Sequence, residues 1–145
     1  MENTDKKFNS LITYMKGICL MMFFACLIAF FFVNTMPFFT LEQLVFNDIY
    51  GTPQMPDDAR PAFVFAFLLF NLASIVACVF QYGVVKHSIA KKEKWGYQVY
   101  TVNSVLWVIG VSCIALYTGA HSYFLSAGIM TLVLIPPVFL LKKYF

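Results

Sequence analysis

Residues 61–85 read PAFVFAFLLFNLASIVACVFQYGVV, a run without Asp, Glu, Lys or Arg. A helix needs roughly 20 predominantly apolar residues to cross a hydrocarbon core about 30 Å thick. Two other uncharged runs occupy residues 17–41 and 95–141, and the second is long enough for two helices with a break near 119–122. The sequence therefore predicts four membrane spans, near residues 17–36, 62–85, 97–118 and 122–141.

The composition supports a membrane protein. Of 145 residues, 61% are hydrophobic and 12% are charged, against about 45–50% and about 25% in soluble domains. These values exclude a soluble monomer, a disordered chain and a nucleic-acid-binding tail. We predict an all-α fold, an antiparallel bundle of four transmembrane helices that forms a single domain over residues 1–145.

The charged residues predict how the bundle is oriented. The basic residues other than Arg60 all fall on one side of the predicted hairpins: Lys6, Lys7, Lys16, Lys86, Lys91, Lys92, Lys94, Lys142 and Lys143. Because Lys and Arg are enriched on the cytoplasmic side, both termini should be cytoplasmic and loop 37–61 should lie outside. The expected location is a bacterial inner membrane. A basic rim can also attract anionic lipid head groups, although orientation alone accounts for it.

Two short segments have predictions of their own. Residues 1–7 are expected to form a frayed tail. In the outer loop, residues 40–43 (Thr-Leu-Glu-Gln) resemble a capping box and Gly51 can end a helix, so a short helix is expected at about 40–50. The outer loop also holds four acidic residues: Glu42, Asp48, Asp57 and Asp58. They could assemble a hydrolase or divalent-metal site with His121, or they could simply be solvated.

The spans contain no residue pattern typical of catalysis. None holds Asp, Glu, Lys or Arg at membrane depth, which argues against proton-coupled transport. Neither His87 nor His121 has a partner at metal-binding spacing, and the sequence lacks G-x-S-x-G, H-E-x-x-H and P-loop motifs. The four cysteines form no C-x-x-C pair and are interpreted as packing residues. No metal or catalytic residue is predicted, and no particular cofactor is indicated.

Uncharged polar residues do recur within the spans. On the second span Asn71, Ser74, Cys78 and Gln81 share one helical face, and Tyr100, Asn103 and Trp107 share a face of the third. One interpretation is hydrogen bonding between helices, at about 0.6–2 kcal/mol each. The other is a cavity that holds a lipid tail, an isoprenoid or a quinone. Its candidate ligand-binding residues are Asn71, Ser74, Gln81, Tyr100, Asn103 and Trp107.

The sequence resembles the DoxX-like group of small four-helix membrane proteins. The resemblance covers the chain from Ile49 onward as a pattern of hydrophobicity, Trp and Gly, and it contains no catalytic motif. It is carried by residues 49–53, residues 60–63, Trp95, Trp107 and residues 117–120. The resemblance implies four helices and, for some members, a link to quinone or sulfur redox chemistry.

Three functions follow as hypotheses. The first is a non-enzymatic accessory or structural protein that binds lipids, other membrane proteins or further copies of itself. The second is a bundle that binds a lipid, isoprenoid or quinone in its polar-lined interior. The third is a small oligomeric transporter or channel.

Overall fold

A computed structural model of the chain describes residues 2–33, 43, 46–52 and 56–145, with side chains described from Asp5 onward. Every regular element in these ranges is helical. Four long helices are present: α1 (Glu2–Phe31), α2 (Arg60–His87), α3 (Lys94–Thr118) and α4 (His121–Leu141). All four contain a segment long and apolar enough to span a membrane. The predicted four-span all-α fold is confirmed.

Helix α1 differs from the predicted first span, 17–36, at both ends. It begins at Glu2, so residues 2–7 are helical rather than a frayed tail, and it ends at Phe31. Thirty residues of helix measure about 45 Å, well beyond a hydrocarbon core of about 30 Å. The excess of about 15 Å corresponds to about ten residues, so Lys6 and Lys7 near the start of α1 can lie outside the hydrocarbon core. Residues 34–36 lie outside the described ranges.

The helix ends contain the backbone signals that the sequence predicted. Gly119 adopts the left-handed conformation, with φ of 68°, and its N–H donates to Ala115 O at 2.9 Å as α3 ends. Pro61 occupies the first turn of α2. Residues 46–50 are helical, and Gly51, with φ of 70°, donates to Asn47 O at 2.8 Å. The short loop helix is thus confirmed over 46–50, whereas 40–42, 44 and 45 lie outside the described ranges.

The helices pack as two pairs, α1 with α2 and α3 with α4, and α2 touches α3 much less extensively. All four helices converge at the end that carries the lysines, which we call the basic end. A hydrophobic cluster fills this end with residues from every helix and from the α2–α3 connection: Phe8, Ile12, Met15, Val84, Val85, Ile89, Tyr100, Val138 and Leu141. The main core therefore lies at the basic end rather than at mid-membrane.

Contacts between distant segments close the basic end. Lys92 Nζ lies 3.1 Å from Asp5 Oδ1 and 5.1 Å from the centre of the Phe8 ring. The rings of Phe8 and Tyr144 lie 4.8 Å apart, centre to centre. These contacts join the start of α1 to the α2–α3 connection and to the residues that follow α4.

Candidate functional site

The two polar stripes meet in one small cavity inside the bundle. Its lining includes Ser74 and Gln81 from α2 and Asn103 and Trp107 from α3. Met22 from α1 and Leu134 from α4 complete the walls, with Ala77 and Cys78. The structure therefore brings together four of the six predicted ligand-binding residues.

The size of this cavity limits what it can hold. Its volume is about 20 Å³, and a cavity needs roughly 10–15 Å³ on this measure to hold one water molecule. Within the described part of the chain, the side chains of Gln81 and Asn103 form no hydrogen bond. The surface that faces this space is apolar, so the cavity is a small packing gap between the helices rather than a polar site.

Asn71 and Tyr100, the other two predicted residues, lie outside this lining. Asn71 is 4% exposed, and its Nδ2 donates to Phe67 O at 2.8 Å in its own helix. Ser74 Oγ likewise donates to Phe70 O at 2.8 Å. For Asn71, bonding to the i−4 carbonyl thus replaces the predicted bonding between helices. Tyr100 is 1% exposed and belongs to the cluster at the basic end.

A hydrogen bond that does join helices involves Tyr97, which is not among the predicted ligand-binding residues. The Tyr97 hydroxyl on α3 donates to Val138 O on α4 at 3.4 Å. The Tyr97 ring also stacks on Phe145, with ring centres 5.1 Å apart. Both contacts strengthen the α3–α4 pair near the basic end.

The acidic residues of the loop do not form a common site in the described ranges. Asp57 and Asp58 are exposed in the turn before α2, and His121 is exposed at the start of α4. Glu42 lies outside the described residues. No group of three metal-ligating side chains occurs among the residues that the structure describes.

Asp48 has a separate structural role. Its Oδ2 accepts the backbone N–H of Ser122 at 2.9 Å, at the first turn of α4. That turn holds no acidic residue of its own, and Ala120 at the N-cap provides no side-chain oxygen. A carboxylate is favourable beside the unpaired N–H groups of a helix start. The hydrogen bond from the backbone N–H of Ser122 holds the pKa of Asp48 below its usual value.

Replacing this carboxylate should loosen the start of α4. Because the pKa is lowered on folding, the stabilisation is complete at neutral pH and disappears as pH falls through the lowered pKa. In Asp48→Asn at pH 7, the amides of Ser122 and Tyr123 should exchange hydrogen several-fold faster. The exposed Asp57→Asn serves as the control and should match the wild type. Equal amide exchange rates in the wild type and Asp48→Asn would show that the Asp48 carboxylate does not stabilise the start of α4.

A larger recess lies between the start of α1 and the end of α4. It has a volume of about 500 Å³ and is open to the surroundings. Lys7 and Tyr14 line one side, and Pro136 and Lys143 line the other. The amino-acid sequence alone does not predict this recess. The distribution of charge predicts that its lysines lie on one side of the membrane. It does not predict that the two ends of the chain pack against each other.

The fold and these sites define a class, the multi-pass α-helical membrane proteins. Comparisons with protein-family models, curated proteins and solved structures find no match.

Proposed function

We propose that the chain is a non-enzymatic accessory protein that acts inside the membrane by binding lipids or other membrane proteins. One observation carries this proposal: bulky apolar side chains cover the outside of every helix, whereas the cavity where the polar faces meet encloses only about 20 Å³. Exposed examples, one from each helix, are Phe31, Val76, Leu116 and Leu132. A surface of this kind meets acyl chains or the helices of a partner. We place both termini in the cytoplasm, following the distribution of lysines.

The alternative, a quinone or isoprenoid held in the interior, has less support. Sites for small molecules commonly enclose about 300–1,000 Å³, whereas the interior cavity encloses about 20 Å³. The helices would have to separate to admit such a ligand. The third hypothesis, an oligomeric channel, is addressed by flux measurements in liposomes.

Native mass spectrometry of the protein released from lipid nanodiscs tests the proposal. We expect the chain to retain phospholipid or a second membrane protein at defined stoichiometry. The Asn103→Leu variant should retain the same species and change the unfolding free energy by only about 1 kcal/mol. Asn71 is also buried but does not line the cavity, so Asn71→Leu is the matched control.

Other outcomes contradict the proposal in distinct ways. A quinone or isoprenoid that is retained by the wild type and lost only in Asn103→Leu would favour the interior site. Ion flux through liposomes that contain the purified chain would favour the channel. A chain that retains neither lipid nor protein would refute an accessory role.

A further inference from the structure

The groove between α1 and α4 has one basic end and one apolar end. Because the two helices are antiparallel, Lys7 and Lys143 lie together at its mouth, while Tyr14 and Pro136 lie together further along both helices. The walls between these ends include Leu11. The groove therefore runs from the basic end of the bundle toward the apolar parts of both helices.

The two lysines at the mouth carry charge that the protein does not neutralise. Both are exposed, and within the described ranges neither forms an ion pair with a carboxylate. The nearby Asp5 is already paired with Lys92 at 3.1 Å. The ammonium of Lys143 lies 5.1 Å from the centre of the Tyr144 ring, which places it beside the groove wall. The mouth thus offers two positive charges, one from each wall.

The rest of the lining suits a hydrocarbon chain. Leu11, Pro136 and Leu140 present apolar surface, and Ser10 adds a hydroxyl near the mouth. The volume of about 500 Å³ falls within the usual range of small-molecule sites. An amphiphile with an anionic head and an apolar tail matches this distribution of charge. Basic pockets between membrane helices recognise anionic phospholipids in this way.

We propose that the groove binds one anionic phospholipid, with its phosphate between Lys7 and Lys143 and an acyl chain along Leu11, Pro136 and Leu140. The site rests on the lipid-binding part of the proposed function and specifies its ligand. The orientation of the chain in the membrane requires only that these lysines lie on one side. The proposed site also gives Lys7 and Lys143 a shared role, which is to hold one phosphate.

Nanodiscs that contain phosphatidylcholine and phosphatidylglycerol in a known ratio provide the test. Native mass spectrometry of the released wild type should show one phosphatidylglycerol retained in excess of its share of the bilayer. The double variant Lys7→Gln/Lys143→Gln should lower that retention by roughly ten- to thirtyfold. The control Lys86→Gln/Lys91→Gln removes the same charge from the basic end outside the groove, and it should stay within about twofold of the wild type.

A third variant tests the acyl chain. Leu140→Trp adds bulk at a half-exposed position, leaves the charge unchanged, and should lower phosphatidylglycerol retention severalfold. Inorganic phosphate should not compete with the lipid, because it lacks the tail.

Four results would overturn the site. They are equal losses in the two lysine pairs, full retention in Leu140→Trp, competition by inorganic phosphate, and no preference for phosphatidylglycerol over phosphatidylcholine. If the wild type still retained a partner protein or a zwitterionic lipid, the groove proposal alone would fail. If it retained nothing, the proposed function would fail as well.

Discussion

Replacement of Gly96 by alanine should destabilise the bundle by about 2–3 kcal/mol, in the range of overpacked cores. Gly96 is buried in the first turn of α3, where the α2–α3 connection passes close to the helix. A Cβ at this position would lie 2.5 Å from Ser88 Cβ and 3.2 Å from the backbone nitrogen of Ile89. Neither atom is the end of a flexible side chain, so the connection itself must move. Reversible unfolding by SDS in detergent micelles measures the loss.

Gly110→Ala, in the same helix, is the control for this substitution. A Cβ at Gly110 meets no atom within 4 Å. Alanine should therefore be neutral or stabilise the helix by up to about 1 kcal/mol, because it restricts the unfolded backbone. If both variants lost the same stability, general helix effects rather than the contact with Ser88 would be responsible.

Replacement of Tyr100 by alanine should cost about 3–5 kcal/mol, as for other buried aromatic side chains. Among the residues that the structure describes, Tyr100 is the largest fully buried side chain, and it packs in the cluster that joins all four helices. Helix association in a membrane depends mainly on van der Waals packing. The cavity left by the ring therefore removes contacts that lipid cannot restore. The same SDS unfolding assay reports this change.

Two further substitutions make the Tyr100 result specific. Tyr117→Ala removes a ring from the same helix that is 93% exposed, so it should change stability by no more than about 0.5 kcal/mol. Tyr100→Phe keeps the ring and should lose much less than the alanine variant. Equal losses for Tyr100→Ala and Tyr117→Ala would show that the cluster at the basic end is not the main core.

Much of the architecture could be predicted from residue chemistry alone. Uncharged runs locate helices in lipid because a charged side chain at membrane depth is costly. Gly119 marks the break between α3 and α4 because glycine adopts the left-handed conformation at a helix end without strain. These rules are local, so they do not depend on which helix lies beside which.

The extent of α1 was missed for a physical reason. Hydropathy finds the part of a helix that lipid surrounds, whereas α1 continues beyond it to Glu2. Phe8, Ile12 and Met15 are spaced so that they share one face, and all three are buried. This spacing indicates a helix that begins before residue 17. The polar and charged residues of 1–7 instead favour a frayed tail.

The candidate site was predicted in part. Helical periodicity placed Ser74 and Gln81 on one face, and Asn103 and Trp107 on another, and these faces do meet. Periodicity carries no information on how closely they meet, and the space that remains between them is only about 20 Å³. The DoxX-like resemblance and its link to redox chemistry remain predictions.

Residue composition and order predict a helical membrane protein with four spans and a basic end, because burial in lipid restricts where charge can lie. The packing of the helices in three dimensions shows which helices pair, that Asp48 meets the start of α4, and that Lys7 and Lys143 share a groove. Each of these contacts joins residues far apart in the chain, and such contacts arise from side-chain packing rather than from local composition.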